Sequence, residues 1–108
     1  MFFTAILTAG DSLADGAVRG LQAMGYAVPH DISVMGIDDL PQSAFLNPPL
    51  STVHIPMREL GATALDLLRD MMLGLAMPRR RVELSCHLVE RGSVAAISRL
   101  KPEVRPTP

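Results

Sequence analysis

An α/β fold, built as a mostly parallel sheet with flanking helices, is what this sequence predicts. Short apolar runs of strand length alternate with two longer stretches of helical periodicity. The second of those runs is apolar on nearly every residue, as strands covered on both faces are. Composition agrees: with 108 residues, 48% hydrophobic and 19% charged, the chain can form one small core and no more than one small domain.

Residues 4–9 are rich in apolar side chains and stop at Gly10, the length and flank of a buried strand. A helix then starts at Asp11 or Ser12. Acidic side chains suit its positive end, and Ser12 with Asp15 has the spacing of a capping box. Leu13, Ala14, Ala17, Val18, Leu21 and Met24 recur at three- and four-residue steps as its apolar face, and Gly25 supplies the stop. After a turn at Pro29 and Asp31, residues 32–37 read as a second strand ending at Asp38-Asp39. Residues 40–50 form a proline-containing segment in which Pro48-Pro49 enforces an extended path. Residues 51–55 are a third extended piece, closed by Pro56. The second helix spans residues 57–73, with Leu60, Ala64, Leu67, Leu68 and Met71 as its buried stripe and Gly74 as its stop. Residues 81–89 read as the last strand, Arg91-Gly92-Ser93 as a turn and residues 98–108 as a disordered tail. Two helices cannot cover both faces of a parallel sheet, so part of the cover is expected from outside this chain.

The formal net charge of −1 and the lack of a clustered basic face argue against a free-standing nucleic-acid binder. Arg79-Arg80-Arg81 reads as a solvated loop. Cys86, the single cysteine, excludes an intrachain disulfide and suits a reducing cytosol. No stretch approaches the roughly 18 apolar residues of a membrane span, and Met1-Phe2-Phe3 lacks the basic start of a signal peptide. A cytoplasmic protein with no membrane partner is expected.

Gly10-Asp11-Ser12-Leu13 spells the opening block of the GDSL hydrolases, whose serine is the nucleophile. Such a serine needs a histidine base, and the histidine needs an orienting carboxylate. No aspartate stands three residues before His30, His54 or His87, so the late Asp-x-x-His block is lacking. The expectation is that Asp11 and Ser12 cap the helix and that the chain is not an enzyme. The histidines have no metal-ligand spacing, and Cys86 and His87 would point to opposite faces of a strand. No metal and no cofactor are expected.

A series of blocks, in order, resembles the lactose-repressor (LacI/GalR) family of transcription regulators. Thr4-Ala5-Ile6-Leu7 through Asp11, with Gly16-Ala17 and Gly25, is similar to the stretch where a strand enters a helix. Val28-Pro29-x-Asp31-Ile32-Ser33-Val34-Met35-Gly36-Ile37-Asp38-Asp39 resembles the family's most distinctive block, and Asn47-Pro48-Pro49-Leu50-Ser51-Thr52-Val53 its Pro-Pro-Leu-Thr-Thr segment. Leu60-Gly61, Leu67-Leu68 and Leu88-Val89-x-Arg91-Gly92-Ser93 complete a match over residues 4–93.

The resemblance implies a two-lobed fold like periplasmic sugar-binding proteins, with a small effector, a sugar or a nucleoside, in the cleft. It implies a carboxy-terminal part of the effector domain spanning residues 1–97: residues 4–50 in the DNA-distal lobe, 56–86 in the proximal lobe and 87–97 returning to the distal one. The helix-turn-helix and about half of each lobe would lie outside this chain, DNA would be reached only through that missing domain, and a homo-oligomer is expected. Asp38 matches the position whose carboxylate accepts hydrogen bonds from the effector, Asp11 is a second ligand-binding candidate, and Leu60 matches a position lining the apolar side of the pocket. Gly10 stands where the family commonly has asparagine, so one side-chain contact is lost. Phe45, Leu46 and Asp15 fall in regions that resemble the family's subunit contact. A periplasmic sugar-binding protein of the same fold is the alternative, and a GDSL-type esterase a remote one.

Overall fold

The computed structural model describes residues 2–75 and 80–97. The tail at 98–108, with Pro78 and Arg79, lies outside the described residues. The chain divides into two compact units, one made of Met1–His54 with His87–Pro108 and the other of Ile55–Cys86.

In the first unit β1 (Ala5–Leu7) leads into α1 (Asp11–Ala23), β2 (Ser33–Asp38), a 3-10 turn (Pro41–Phe45), β3 (Ser51–His54) and finally β4 (His87–Val89). The sheet order is β1-β2-β3-β4. The first two pairings are parallel, and β4 runs antiparallel to β3. The α/β architecture with a mostly parallel sheet is therefore present. α1 lays Ala14, Val18 and Leu21 on the sheet, where Val28, Ile32, Val34 and Leu50 complete a buried cluster with Ile6 against it. That spacing, three to four residues, is the helical repeat. Gly25, at φ 85°, and the bonds from Gly25 and Tyr26 back to Gln22 and Leu21 end the helix as the glycine predicts.

Strand alternation turns Leu7, Met35, Ile37, Val53 and Leu88 away from α1. Leu7 and Leu88 are 69% and 56% exposed, so one apolar face of the sheet has no helix of this unit upon it. This is the incomplete cover that two helices imply. It also corrects the expectation of a buried first strand: β1 is an edge strand of three residues, and only Ile6 is half-buried. Leu13 and Met24 are exposed as well. They lie about 100° round the helix from Ala14 and outside the buried cluster.

The second unit holds α2 (Met57–Met72), closed by Gly74 at φ 69°. None of its residues is buried, and Leu60, Ala64, Leu68 and Met71 of the expected stripe are exposed. Among the described residues of this unit, no second helix or strand is present to enclose it. The expected last strand shrinks to β4, because only His87–Val89 find partners in β3, while residues 80–86 have no regular structure. Arg80 pairs with Asp70 at 2.8 Å and Arg81 with Glu83 at 2.8 Å, both on exposed surface. Such pairs contribute little to stability.

The α1–sheet cluster carries the first unit. Leu50→Ala, at a fully buried position, is expected to cost about 2–5 kcal/mol in urea unfolding. Leu13→Ala, on the exposed stripe, is expected to cost well under about 1 kcal/mol.

Candidate functional site

Three aspartates converge where β2 ends and α1 begins. Asp11, the first residue of α1, is 2% exposed. It does not cap the helix: the N-cap is Gly10, with no side-chain cap bond. Its carboxylate instead reaches across the chain. Oδ2 accepts the Leu40 N–H at 2.9 Å and the Ser43 hydroxyl at 2.5 Å, and Oδ1 accepts the Thr52 hydroxyl at 2.6 Å. Both oxygens are engaged, so no buried charge is left without partners. β2 must be glycine opposite this group, since a Cβ at Gly36 would overlap Oδ1 and lie 3.1 Å from the Asp11 Cα. The expected cap is thus a tie between α1, the 3-10 turn and β3.

Asp39 is also engaged. Arg91 donates from Nη2 to Oδ1 at 2.7 Å and from Nη1 to the Leu50 carbonyl at 2.9 Å, while His54 Nδ1 lies 2.8 Å from Oδ2. The Arg91 hydrogen bond holds the Asp39 carboxyl below its ordinary value, burial opposes this, and the His54 bond adds to it. Thr52 Oγ1, which donates to Asp11, accepts the Asp39 N–H at 3.3 Å. The corner between β2 and the 3-10 turn is therefore held from both sides.

Asp38 differs from its neighbours. Its φ is 127°, and Asp39 follows at 56°, two consecutive non-glycine residues on the right of the backbone map. Among the described residues, its carboxylate has no hydrogen-bond partner. It sits at the carboxyl end of a parallel strand, where open α/β sheets place their ligands. Gly10 lies against it: a Cβ there would be 3.2 Å from Asp38 Oδ2. Gly10 has extended backbone, φ −167°, which any residue adopts, so its missing side chain leaves room rather than relieving strain.

The other expected residues lie apart from this corner. Asp15 meets Arg19 one helical turn on, at 3.0 Å. Phe45 is 88% exposed, whereas Leu46 packs on the core cluster. Leu60 is on α2, in the second unit, and is exposed. Ser12 is exposed and makes no hydrogen bond to a histidine among the described residues; His54 is bound to Asp39 instead. Thr52, Ser43, His54 and Arg91 were not anticipated as site residues, because their contacts with Asp11 and Asp39 join residues far apart in sequence. Gly36, a glycine inside a strand, was the one local sign that another backbone comes close.

Comparison with known proteins adds the family. Residues 3–94 match the periplasmic binding protein-like domain. The chain is 40% identical over 92 residues to the HTH-type transcriptional repressor PurR of Edwardsiella ictaluri, a match covering 85% of this chain and 27% of that protein. It is 38% identical over 89 residues to the ribose operon repressor of Escherichia coli K12, covering 82% and 27%. It thus spans about a quarter of the length of these curated relatives. Among solved structures, the dimeric Lac repressor with an 11-residue C-terminal deletion superposes with a TM-score of 0.81 at 38% identity, over 88% of this chain and 35% of that one. The CelR–cellobiose complex superposes at 0.79 with 34% identity, over 82% and 27%.

Two substitutions probe the corner. Gly36→Ala forces a Cβ against Asp11 and is expected to cost about 1–3 kcal/mol in denaturant unfolding. Asp39→Asn is expected to lower the melting temperature in a pH-dependent way. The folded-state pKa of Asp39 is depressed, so its contribution is complete above the ordinary carboxylate value of about 4 and is lost as pH falls through the depressed value. The melting gap between wild type and Asp39→Asn should be wide at about pH 6 and should narrow as the pH falls below the ordinary carboxylate value of about 4.

Proposed function

Because this chain belongs to the LacI-family effector domains, within the periplasmic binding protein-like family, we propose that it senses a small molecule through Asp38 on behalf of a transcriptional repressor. One observation carries the reading: a carboxylate without a hydrogen-bond partner among the described residues, on a strained backbone, at the carboxyl end of a parallel strand and near two aspartates whose oxygens are already bonded. Strain of this kind costs about 1–3 kcal/mol and collects at ligand clamps.

The chemistry of the partner follows from the group. An ionised carboxylate only accepts hydrogen bonds, so the effector must donate through hydroxyl or amine groups, as sugars and nucleosides do. The relative solved with cellobiose supports a carbohydrate. Gly10 gives the ligand no side-chain hydrogen bond on its flank, but it leaves space next to Asp38. An effector that binds one arrangement of the protein better than another shifts the balance of a DNA-binding dimer, with DNA contacted by a separate domain. Phe45, a large apolar side chain left exposed on the 3-10 turn, suits the subunit contact of such a dimer. The relatives' names favour a regulator over a periplasmic sugar-binding protein.

The test compares wild type with Asp38→Ala and Asp38→Gly by calorimetry against a panel of monosaccharides, disaccharides and nucleosides. Binding of a panel member is expected to weaken at least about tenfold in both variants. Asp38→Gly, which accepts the positive φ, is expected to stabilise the unfolding transition by about 1 kcal/mol even as binding is lost. Unchanged affinity in Asp38→Ala would overturn the reading.

A further inference from the structure

Two imidazoles meet where the first unit hands its backbone to the second. His54 is the last residue of β3 and of the first stretch of that unit, and His87 is the first residue after the return. They are register partners in the antiparallel β3–β4 ladder, and their rings stack with centroids 4.7 Å apart and planes inclined by 27°. Neither ring is buried: the His54 side chain is 38% exposed, and His87 is exposed.

The surrounding charges are unevenly shared. From β2, Asp39 binds His54 Nδ1 through Oδ2, and Asp38 is the register partner of His54. From the segment after β4, Arg91 holds the other oxygen of Asp39. His87 has no acidic partner among the described residues. We propose that the stacked pair His54–His87 is a proton-gated clasp on the two strand ends that lead out of and back into the first unit.

Histidine is the side chain whose charge changes between about pH 5 and 8. With both rings neutral, the stack adds an attractive contact to the last ladder pair. A proton on His54 has Asp39 as its counter-charge. A second proton, on His87, has no ion-pair partner among the described residues and places two like charges face to face. The ladder then parts at its His54–His87 end, while the remainder of β3 stays fixed by Thr52 and Arg91. Acidification would thereby free the two crossing strands without unfolding the core.

The experiment is nuclear magnetic resonance on the labelled 108-residue chain, reading the cross-relaxation between the ring protons of His54 and His87 at about pH 8 and about pH 5. The contact is expected to be strong at the higher pH and lost at the lower, while the methyl resonances of buried Val34 and Leu50 stay in place. His87→Phe keeps a stacked ring that cannot take a proton, and its contact with His54 is expected to persist at both pH values. A wild-type contact equally strong at both values overturns the proposal. So does its loss in His87→Phe on acidification, or movement of the Val34 and Leu50 methyls together with the rings.

Discussion

The carboxylate of Asp11 is the constraint on which the first unit depends. It draws a hydrogen bond from the backbone after β2, one from the 3-10 turn and one from β3, and it does so from the first turn of α1. A charged group at 2% exposure is tolerable only with such a set of donors, helped by the positive end of the helix behind it. Gly36 is the complementary condition, because the strand opposite must leave out its side chain for the carboxylate to fit. Without that tie, α1 would still pack through Ala14, Val18 and Leu21, but the turn after Asp38 would be held only from the Asp39 side, by Thr52, His54 and Arg91.

The three aspartates of the corner divide the work by their surroundings. Asp11 is buried and held by neutral donors, and it shapes the backbone. Asp39 is held by a guanidinium and an imidazole, and it joins the end of β2 to β3 and to the segment after β4. Asp38 is left with an unfavourable φ and, among the described residues, with an unengaged carboxylate. The hydrogen bonds of Asp11 and Asp39 thus frame a residue that is itself held at a positive φ.

Local patterns made the strand–helix alternation legible. The start of α1 at Asp11, the end of β2 at Asp38 and the glycine stops at Gly25 and Gly74 all follow from rules that act within a few residues. Burial was less legible. Leu13, Leu60 and Leu68 have helical spacing, but whether a stripe is covered depends on a facing surface that periodicity does not reveal. The last strand was read too long for the same reason, since residues 80–86 are suitable for a strand but have no ladder partner. At the corner, the resemblance of the Gly36-Ile37-Asp38-Asp39 block to one family pointed to Asp38 as a candidate, and the strand end that carries it was legible. The role of Asp11 was not, because its partners at Leu40, Ser43 and Thr52 lie 29 to 41 positions away.

A crystal structure of the protein with its effector bound tests the central claim most directly. The account requires a donor atom of the effector at roughly 2.6–3.2 Å from the Asp38 carboxylate, with the bonds of Asp11 to Leu40, Ser43 and Thr52 unchanged. An effector held by Asp11 itself, or an Asp38 turned onto a partner within its own chain, would contradict it.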